Sequence, residues 1–321
     1  MRRREFIAAL GGVAAAPLGA LAELPHASVA WLSALHPSHS VALPFLLKGL
    51  AATGYVEGRN LTIEDASAEG HPEQFPARAA EAVQKHVSLI AAVSGLPSVA
   101  AAKAATASIP IVFISIGDPV ELGLVASLNH PGGNLTGVEN SLLIPKQVEL
   151  LSELIPGSAP IAMLVDPNTE ASLLEKAAKA TGQALGRPII VVTVTTDRDF
   201  ETAFATVVQQ KAAGVVIGNQ PILTAYHKQL AELAARFAVP AIYDPQDLAA
   251  SGGLVSYGAN IFDIFRQLGE ISGKILAGAN PAEFPVQAPD RIQLKINLKT
   301  AKALGITVPP SILVRADEVI E

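Results

Sequence analysis

Hydrophobic positions along this chain follow two alternating patterns. Short runs rich in Val, Ile and Leu alternate with longer, alanine-rich segments whose apolar residues recur at helical spacing. The short runs are apolar throughout, which is typical of strands covered on both faces, as in parallel sheets with helices between the strands.

The order of these segments predicts two similar halves. In the first half we predict strands at residues 29–33, 61–64, 89–93, 111–115 and 135–138, and helices at 41–53, 73–85, 98–106 and 120–128. After a helix at 146–154 the rhythm restarts, with strands at 161–165, 189–194, 214–218 and 241–243 and helices at 171–185, 200–211 and 223–237. The chain then ends with helices at 262–276 and 298–304 and a strand at 292–296. We therefore predict an α/β protein with two doubly wound parallel-sheet lobes.

The first 22 residues have the features of a secretory signal peptide. Arg2, Arg3 and Arg4 precede an apolar, glycine-broken stretch, and Ala20-Leu21-Ala22 provides a small-residue cleavage site. The apolar stretch is too short to span a bilayer comfortably. The segment at residues 3–7 also resembles a twin-arginine export signal. We therefore predict a periplasmic protein.

Composition narrows the function classes. Half of all residues are hydrophobic and 16% are charged, which allows a sizeable core. The chain has 23 basic and 29 acidic side chains, and removal of residues 1–22 would leave 20 and 28, a net charge of −8. Nucleic acid is not an expected partner, because phosphate binding needs a basic face. The absence of cysteine excludes disulfides, a thiol nucleophile and zinc–thiolate sites.

Candidate chemistry lies just after the predicted strands, because open parallel sheets bind ligands beyond the carboxyl ends of their strands. The polar residues there are small and rich in hydroxyl groups, and neither Lys nor Arg is among them. Each also has a structural interpretation as a turn or helix cap, most clearly Asp118 before Pro119 and Asp244 before Pro245. The predicted ligand-binding residues are Ser33, Ser94, Ser98, Ser115, Asp118, Asn168, Asn219, Gln220, Asp244 and Tyr257.

The absence of Lys and Arg after the predicted strands limits the kind of ligand that the site can bind. A polyanion would need Arg side chains, whereas one carboxylate can be held by N–H groups at a helix start. Asp118, Asp166 and Asp244 could hold an ammonium group. The sequence therefore favours a zwitterion, or a small hydrogen-bonding solute with an apolar body.

Signals of catalysis and of metal binding are weak. The chain has no P-loop, no G-x-G-x-x-G that opens a helix and no G-x-S-x-G elbow. His36 and His39 are three residues apart, but no H-E-x-x-H accompanies them, and we expect a solvated loop there. We predict no enzyme activity, no cofactor and no metal.

Several motifs in combination resemble one family. They are residues 54–64 (GYVEGRNLTIE), 109–113 (IPIVF) with 117–120 (GDPV), 129–138 (NHPGGNLTGV), 252–258 (GGLVSYG) and 296–305 (INLKTAKALG). The chain resembles the substrate-binding proteins of ABC transporters in the tryptophan/tyrosine-type group, which are similar to type I periplasmic binding proteins. The resemblance covers nearly the whole chain.

This resemblance implies a hinged, two-lobed protein that closes on one small solute, an amino acid or similar zwitterion. The solute would then pass to an ABC importer permease in the inner membrane, and delivery favours a monomer. We expect lobe 1 at residues 23–140 and 258–285, and lobe 2 at 141–257 and 286–321. By the resemblance, Ser94, Ser98 and Asp118 belong to the cleft. The alternatives are an exported ligand-sensing partner of a receptor and, less favoured, an exported α/β enzyme.

Overall fold

The computed structural model describes residues 24–115, 117–140, 143–167, 171–218, 220–244 and 252–321. The proposed signal peptide lies outside these ranges. The described chain forms two sheets, each with helices packed on its faces. We call the unit around the first sheet lobe 1 and the unit around the second sheet lobe 2.

Lobe 1 contains a sheet of parallel strands in the order β2-β1-β3-β4-β5. Apolar strand residues are buried on both faces, as every residue of Ile111–Ser115 illustrates. The strands are β1 (Ala27–Leu32), β2 (Leu61–Asp65), β3 (Leu89–Ala92), β4 (Ile111–Ser115) and β5 (Leu135–Glu139), and the intervening helices are α1 (Leu43–Ala52), α2 (Phe75–Gln84) and α3 (Gly95–Ala105).

Lobe 2 contains a longer sheet in the order β12-β11-β10-β9-β8-β6-β7, parallel except where β10 meets β11. Its strands are β6 (Ile161–Val165), β7 (Ile189–Thr193), β8 (Gly214–Ile217), β9 (Ala241–Tyr243), β10 (Val255–Ala259), β11 (Ile292–Asn297) and β12 (Glu318–Ile320). The remaining helices are α4 (Leu143–Leu154), α5 (Ala171–Ala184), α6 (Phe200–Gln209), α7 (Pro221–Ala225), α8 (His227–Arg236), α9 (Ile261–Leu276), α10 (Leu298–Ala303) and α11 (Pro310–Leu313). The prediction of two parallel-sheet α/β lobes is confirmed.

Helix α9 follows strand β10 of lobe 2 but packs on lobe 1. It lies against α1, and glycines let the two backbones touch. A Cβ added at Gly49 would overlap the carbonyl oxygen of Arg266, and one added at Gly269 would overlap that of Leu46. Lobe 1 is therefore completed by a segment that is distant in sequence.

Between its described elements, the chain passes from one lobe to the other three times, and each passage joins the carboxyl-terminal edges of the two sheets. The first leads from β5 into α4, whose Ile144 lies beside Gly218 at the end of β8. The second leaves lobe 2 at Ala259, the last residue of β10. The third runs from Gln287, which is bridged to β5, to Ile292, which pairs with Ala259. The carboxyl-terminal edges of the two sheets therefore face each other.

Two predicted helices are wrong in detail. Residues 120–128 form a series of turns, in which Gly123 has a φ of 66° that interrupts helical geometry. The predicted helix at 223–237 is divided at Tyr226 into α7 and α8. The sequence patterns also did not predict α11 and the short edge strand β12.

Candidate functional site between the lobes

Three serines of lobe 1 join the ends of the neighbouring strands β1 and β3. The Oγ of Ser94 accepts a hydrogen bond from the N–H of Ala34 at 2.7 Å and lies 3.4 Å from the Oγ of Ser33. Ser98 is fully buried, and its Oγ accepts from the N–H of Ser94 at 3.0 Å and donates to the carbonyl of Gly95 at 2.9 Å. Ser98 thus shapes the first turn of α3, while Ser94 remains partly exposed at the start of that helix.

Ser115 and Asn140 lie together at the ends of β4 and β5. The N–H of Asn140 donates to the carbonyl of Ser115 at 2.9 Å, and both side chains are at least nine-tenths buried. Within the described part of the chain, neither the Oγ of Ser115 nor the Oδ1 of Asn140 has a hydrogen-bond partner. Buried polar atoms normally have partners, so these two are candidates for contact with a ligand.

Asp118 lies on the loop after β4 and is partly exposed. Its Oδ1 accepts a hydrogen bond from the N–H of Val120 at 2.7 Å. The carboxylate therefore stabilises the turn at Pro119, in agreement with the interpretation of Asp118 as a turn or cap residue.

The facing edge of lobe 2 carries carboxyl groups. Among the described residues, only two carboxyl side chains are buried, those of Asp166 after β6 and Asp244 after β9. Strand β8 separates β6 from β9, so the two backbones are about 10 Å apart, or two strand spacings. Burial raises the pKa of Asp244 to about 8, because a low-dielectric environment disfavours the charged carboxylate.

Gln220 connects two strand ends of lobe 2. Its Oε1 accepts from the N–H of Asp166 at 2.8 Å, and its Nε2 donates to the carbonyl of Asp166 at 3.0 Å. The side chain is fully buried. Gln220 therefore ties the start of α7 to the end of β6 and fixes the position of the Asp166 backbone.

Tyr257 lies in β10 close to the second passage between the lobes. Its half-buried side chain packs against the lobe 2 core that includes α4. Gln147 of α4 donates from Nε2 to the carbonyl of Tyr257 at 2.9 Å, and within the described residues its buried Oε1 has no partner. Sequence reasoning missed Gln147 because nothing in its local pattern shows that α4 begins at this edge.

The facing edge of lobe 2 carries buried carboxyl groups, whereas the buried cation of this lobe lies elsewhere. The buried cation among the described residues, Arg187, lies before β7 at the opposite end of the lobe 2 sheet. Its guanidinium donates to the carbonyls of Ile155 and Ala159. Because Arg187 lies at the opposite end of the sheet, the buried carboxyl group of Asp244 favours a positively charged ligand group.

Other candidate sites have weaker structural support. Asn168 and Asn219 lie outside the described residues. The rings of His36 and His39 are 5.9 Å apart, and no group of metal-binding side chains occurs within the described ranges.

A groove of about 480 Å³ lies on the outer surface of lobe 2 between α6 and α8. Because its lining is mostly charged and includes none of the predicted ligand-binding residues, we do not assign the ligand to it.

Comparison with known proteins identifies the family. The family described as ABC transporter substrate binding protein matches residues 30–320. The chain belongs to this family. A tyrosine-binding protein of Clostridioides difficile is 28% identical over 282 residues, which are 84% of this chain and 78% of the relative.

Two solved structures share the arrangement of this substrate-binding protein. A conserved domain protein from Vibrio cholerae has a TM-score of 0.79 and 27% identity, over 91% of this chain and 99% of the other. The ABC domain from Streptococcus pneumoniae in complex with L-Trp has a TM-score of 0.78 and 25% identity, over 92% of this chain and all of the other.

Membership settles the broad function. The protein is an extracytoplasmic substrate-binding protein that binds a small ligand and works with an ABC transporter, and it is a binding protein rather than an enzyme. In the described residues, no helix is both long and apolar enough to cross a bilayer.

Proposed function

We propose that the protein captures an aromatic L-amino acid between its lobes. The observation that carries this proposal is the contrast between the facing edges. Lobe 2 offers the buried carboxyl groups of Asp166 and Asp244, and lobe 1 offers hydroxyl and amide groups with the N–H groups of α3. Burial keeps a proton on Asp244 at neutral pH in the ligand-free protein, so the ligand's ammonium group would bind Asp244 with loss of that proton. The ligand's carboxylate would bind the start of α3 near Ser94 and Ser115.

The energetics favour an aromatic side chain on the ligand. A charged hydrogen bond contributes about 1.5–3 kcal/mol and a helix start about 0.3–2 kcal/mol. Micromolar binding needs about 8 kcal/mol, so these polar contacts alone do not suffice. An aromatic side chain that buries roughly 150–250 Å² adds about 4–6 kcal/mol. The tyrosine-binding relative and the solved structure in complex with L-Trp support the same ligand class.

The remaining predicted residues complete this proposed site. Ser33 and Asn140 lie beside the carboxylate end, and Tyr257 forms a side wall. Ser98, Asp118 and Gln220 hold the loops that carry the site. Asn168 and Asn219 follow lobe 2 strands and stay predicted contacts.

We also propose how the protein works in the cell. A signal peptide at residues 1–22, of the twin-arginine type, exports it to the periplasm, where it acts as a monomer and delivers its ligand to an inner-membrane permease.

The lobe boundaries predicted from sequence, at 140/141, 257/258 and 285/286, act as the hinge. Residues 258–259 continue β10 and residues 286–287 lie along β5, so the hinge would extend slightly beyond those boundaries. An exported sensing role is the alternative.

The ligand is tested by calorimetry and thermal unfolding with L-tryptophan and L-tyrosine. The matched controls are tryptamine, which lacks the carboxylate, and indole-3-propionate, which lacks the ammonium group. At 100 times its dissociation constant, a bound amino acid should add about 2.7 kcal/mol of stability. Both controls should bind at least tenfold more weakly. Equal binding of indole-3-propionate, or no stabilisation by either amino acid, would refute the proposal.

Export is tested separately. Replacing both Arg3 and Arg4 by Lys should stop the mature protein from reaching the periplasm if the twin-arginine route is used. Unchanged export in the double variant would contradict that route.

A further inference from the structure

We propose that Leu173 and the Gly117 loop form an apolar latch that holds the two lobes closed. Gly117 follows β4 in lobe 1, and Leu173 lies in the first turn of α5 in lobe 2. A Cβ built at Gly117 would lie 3.3 Å from Cδ1 of Leu173 and 3.5 Å from Cδ1 of Leu122. The isobutyl group of Leu173 therefore lies against the Gly117 backbone, across the gap between the lobes.

Two features favour glycine at position 117. Its φ is 134°, a backbone conformation that residues with a side chain rarely adopt. A side chain would also press on Leu173 at less than ordinary contact distance. The missing Cβ leaves a flat backbone surface that Leu173 can approach.

Leu122 forms the lobe 1 side of the latch. Its side chain packs against the lobe 1 core cluster and also reaches Gly117. Gly117 thus lies between one leucine from each lobe. Opening the lobes about the three connecting segments would separate Leu173 from this surface and expose it to water, which costs free energy in proportion to the apolar area.

Leu173 is not needed for the core of its own lobe. Its neighbour Leu174 is 3% exposed and belongs to the lobe 2 core, whereas Leu173 is only partly buried. Replacing Leu173 should therefore change the balance between open and closed forms without unfolding lobe 2. The latch acts on closure and lies outside the residues proposed to contact the ligand.

The test compares Leu173→Ala with Leu185→Ala. Leu185 is a matched control, because it follows the far end of α5 and is 42% exposed. With L-tryptophan as the probe, we expect Leu173→Ala to raise the dissociation rate about fivefold while the association rate stays within twofold. Leu185→Ala should leave both rates unchanged, and Leu173→Met should restore most of the lost affinity.

A second readout does not depend on the ligand, so it separates failure of the latch from failure of the proposed function. The chain has no cysteine, so spin labels can be placed on Ala80→Cys in lobe 1 and Lys228→Cys in lobe 2. Leu173→Ala should shift the ligand-free distance distribution towards longer, open distances. If Leu173→Ala leaves both the distances and the dissociation rate as in the wild type, the latch does not exist.

Discussion

The two lobes share an architecture but differ in the chemistry of the edges that face each other. In lobe 1 the buried polar side chains after the strands are hydroxyls and an amide, as at Ser33, Ser115 and Asn140. In lobe 2 the buried carboxyl groups of Asp166 and Asp244 occupy the equivalent positions. Under the proposed function, each lobe recognises one end of a zwitterion, and both lobes are needed to close on it.

The largest expected effect comes from removing the charge in lobe 2. Asp244→Asn keeps the shape of the side chain but leaves the ligand's ammonium group without its carboxylate, so affinity for L-tryptophan should fall about 100-fold. Calorimetry measures the loss. Asp197→Asn is the control, because Asp197 is an exposed acid elsewhere in lobe 2. A change of less than threefold in Asp244→Asn would contradict the role of Asp244 in binding the ammonium group.

The same residue should make the ligand-free protein sensitive to pH. The folded-state pKa of Asp244 is raised to about 8, above its unfolded value, so the folded state binds more protons between pH 4 and 8. Its contribution to stability is present at pH 4 and is lost as pH rises towards 8, by at most about 1.4 kcal/mol per pH unit. Urea unfolding at several pH values should show this slope in the wild type and a flatter one in Asp244→Asn. Identical slopes would mean that Asp244 does not titrate in this window.

In lobe 1, Ser98→Ala should affect folding and leave binding nearly intact. Ser98 makes two hydrogen bonds in the first turn of α3, and their loss leaves the N–H of Ser94 unpaired at a cost of about 1–2 kcal/mol. Chemical denaturation should show the loss of stability, with affinity for L-tryptophan within twofold of the wild type. A large loss of affinity with unchanged stability would instead make Ser98 a direct ligand contact.

Ser115→Ala should show the opposite behaviour, with the smallest effect of the series. The Oγ of Ser115 is buried, and no partner occurs for it in the described ranges, so its removal should leave stability unchanged or slightly higher. If the hydroxyl donates to the ligand carboxylate, affinity should fall about fivefold. Titration calorimetry and unfolding of the same sample separate the two effects. Unaltered affinity would exclude Ser115 from the site.

The fold was largely predictable because apolar strand runs and helical periodicity are local signals. The prediction failed at residues 120–128, where the apolar spacing resembles a helix but Gly123 and the Asp118 turn determine the backbone. It failed again at Tyr226, where one long pattern covers two short helices. Neither interruption changes the hydrophobic pattern, so periodicity alone does not reveal it.

The candidate site was predictable only in outline. Strand ends are visible in the sequence, so Asp244 and Ser115 could be named. Whether a polar side chain there faces the ligand or closes a loop depends on its hydrogen-bond partners, and Gln220 and Ser98 prove to have partners within their own lobes. Gln147 reaches this region only because the chain crosses between the lobes just before α4.

The most direct test is a crystal structure of the protein with L-tryptophan bound. We predict that the ligand lies between the lobes, with its ammonium nitrogen about 3 Å from a carboxylate oxygen of Asp244 and its carboxylate at the start of α3. A ligand bound in the reverse orientation, with its carboxylate towards lobe 2, would contradict the assigned roles of the two lobes. So would a ligand bound away from the facing edges.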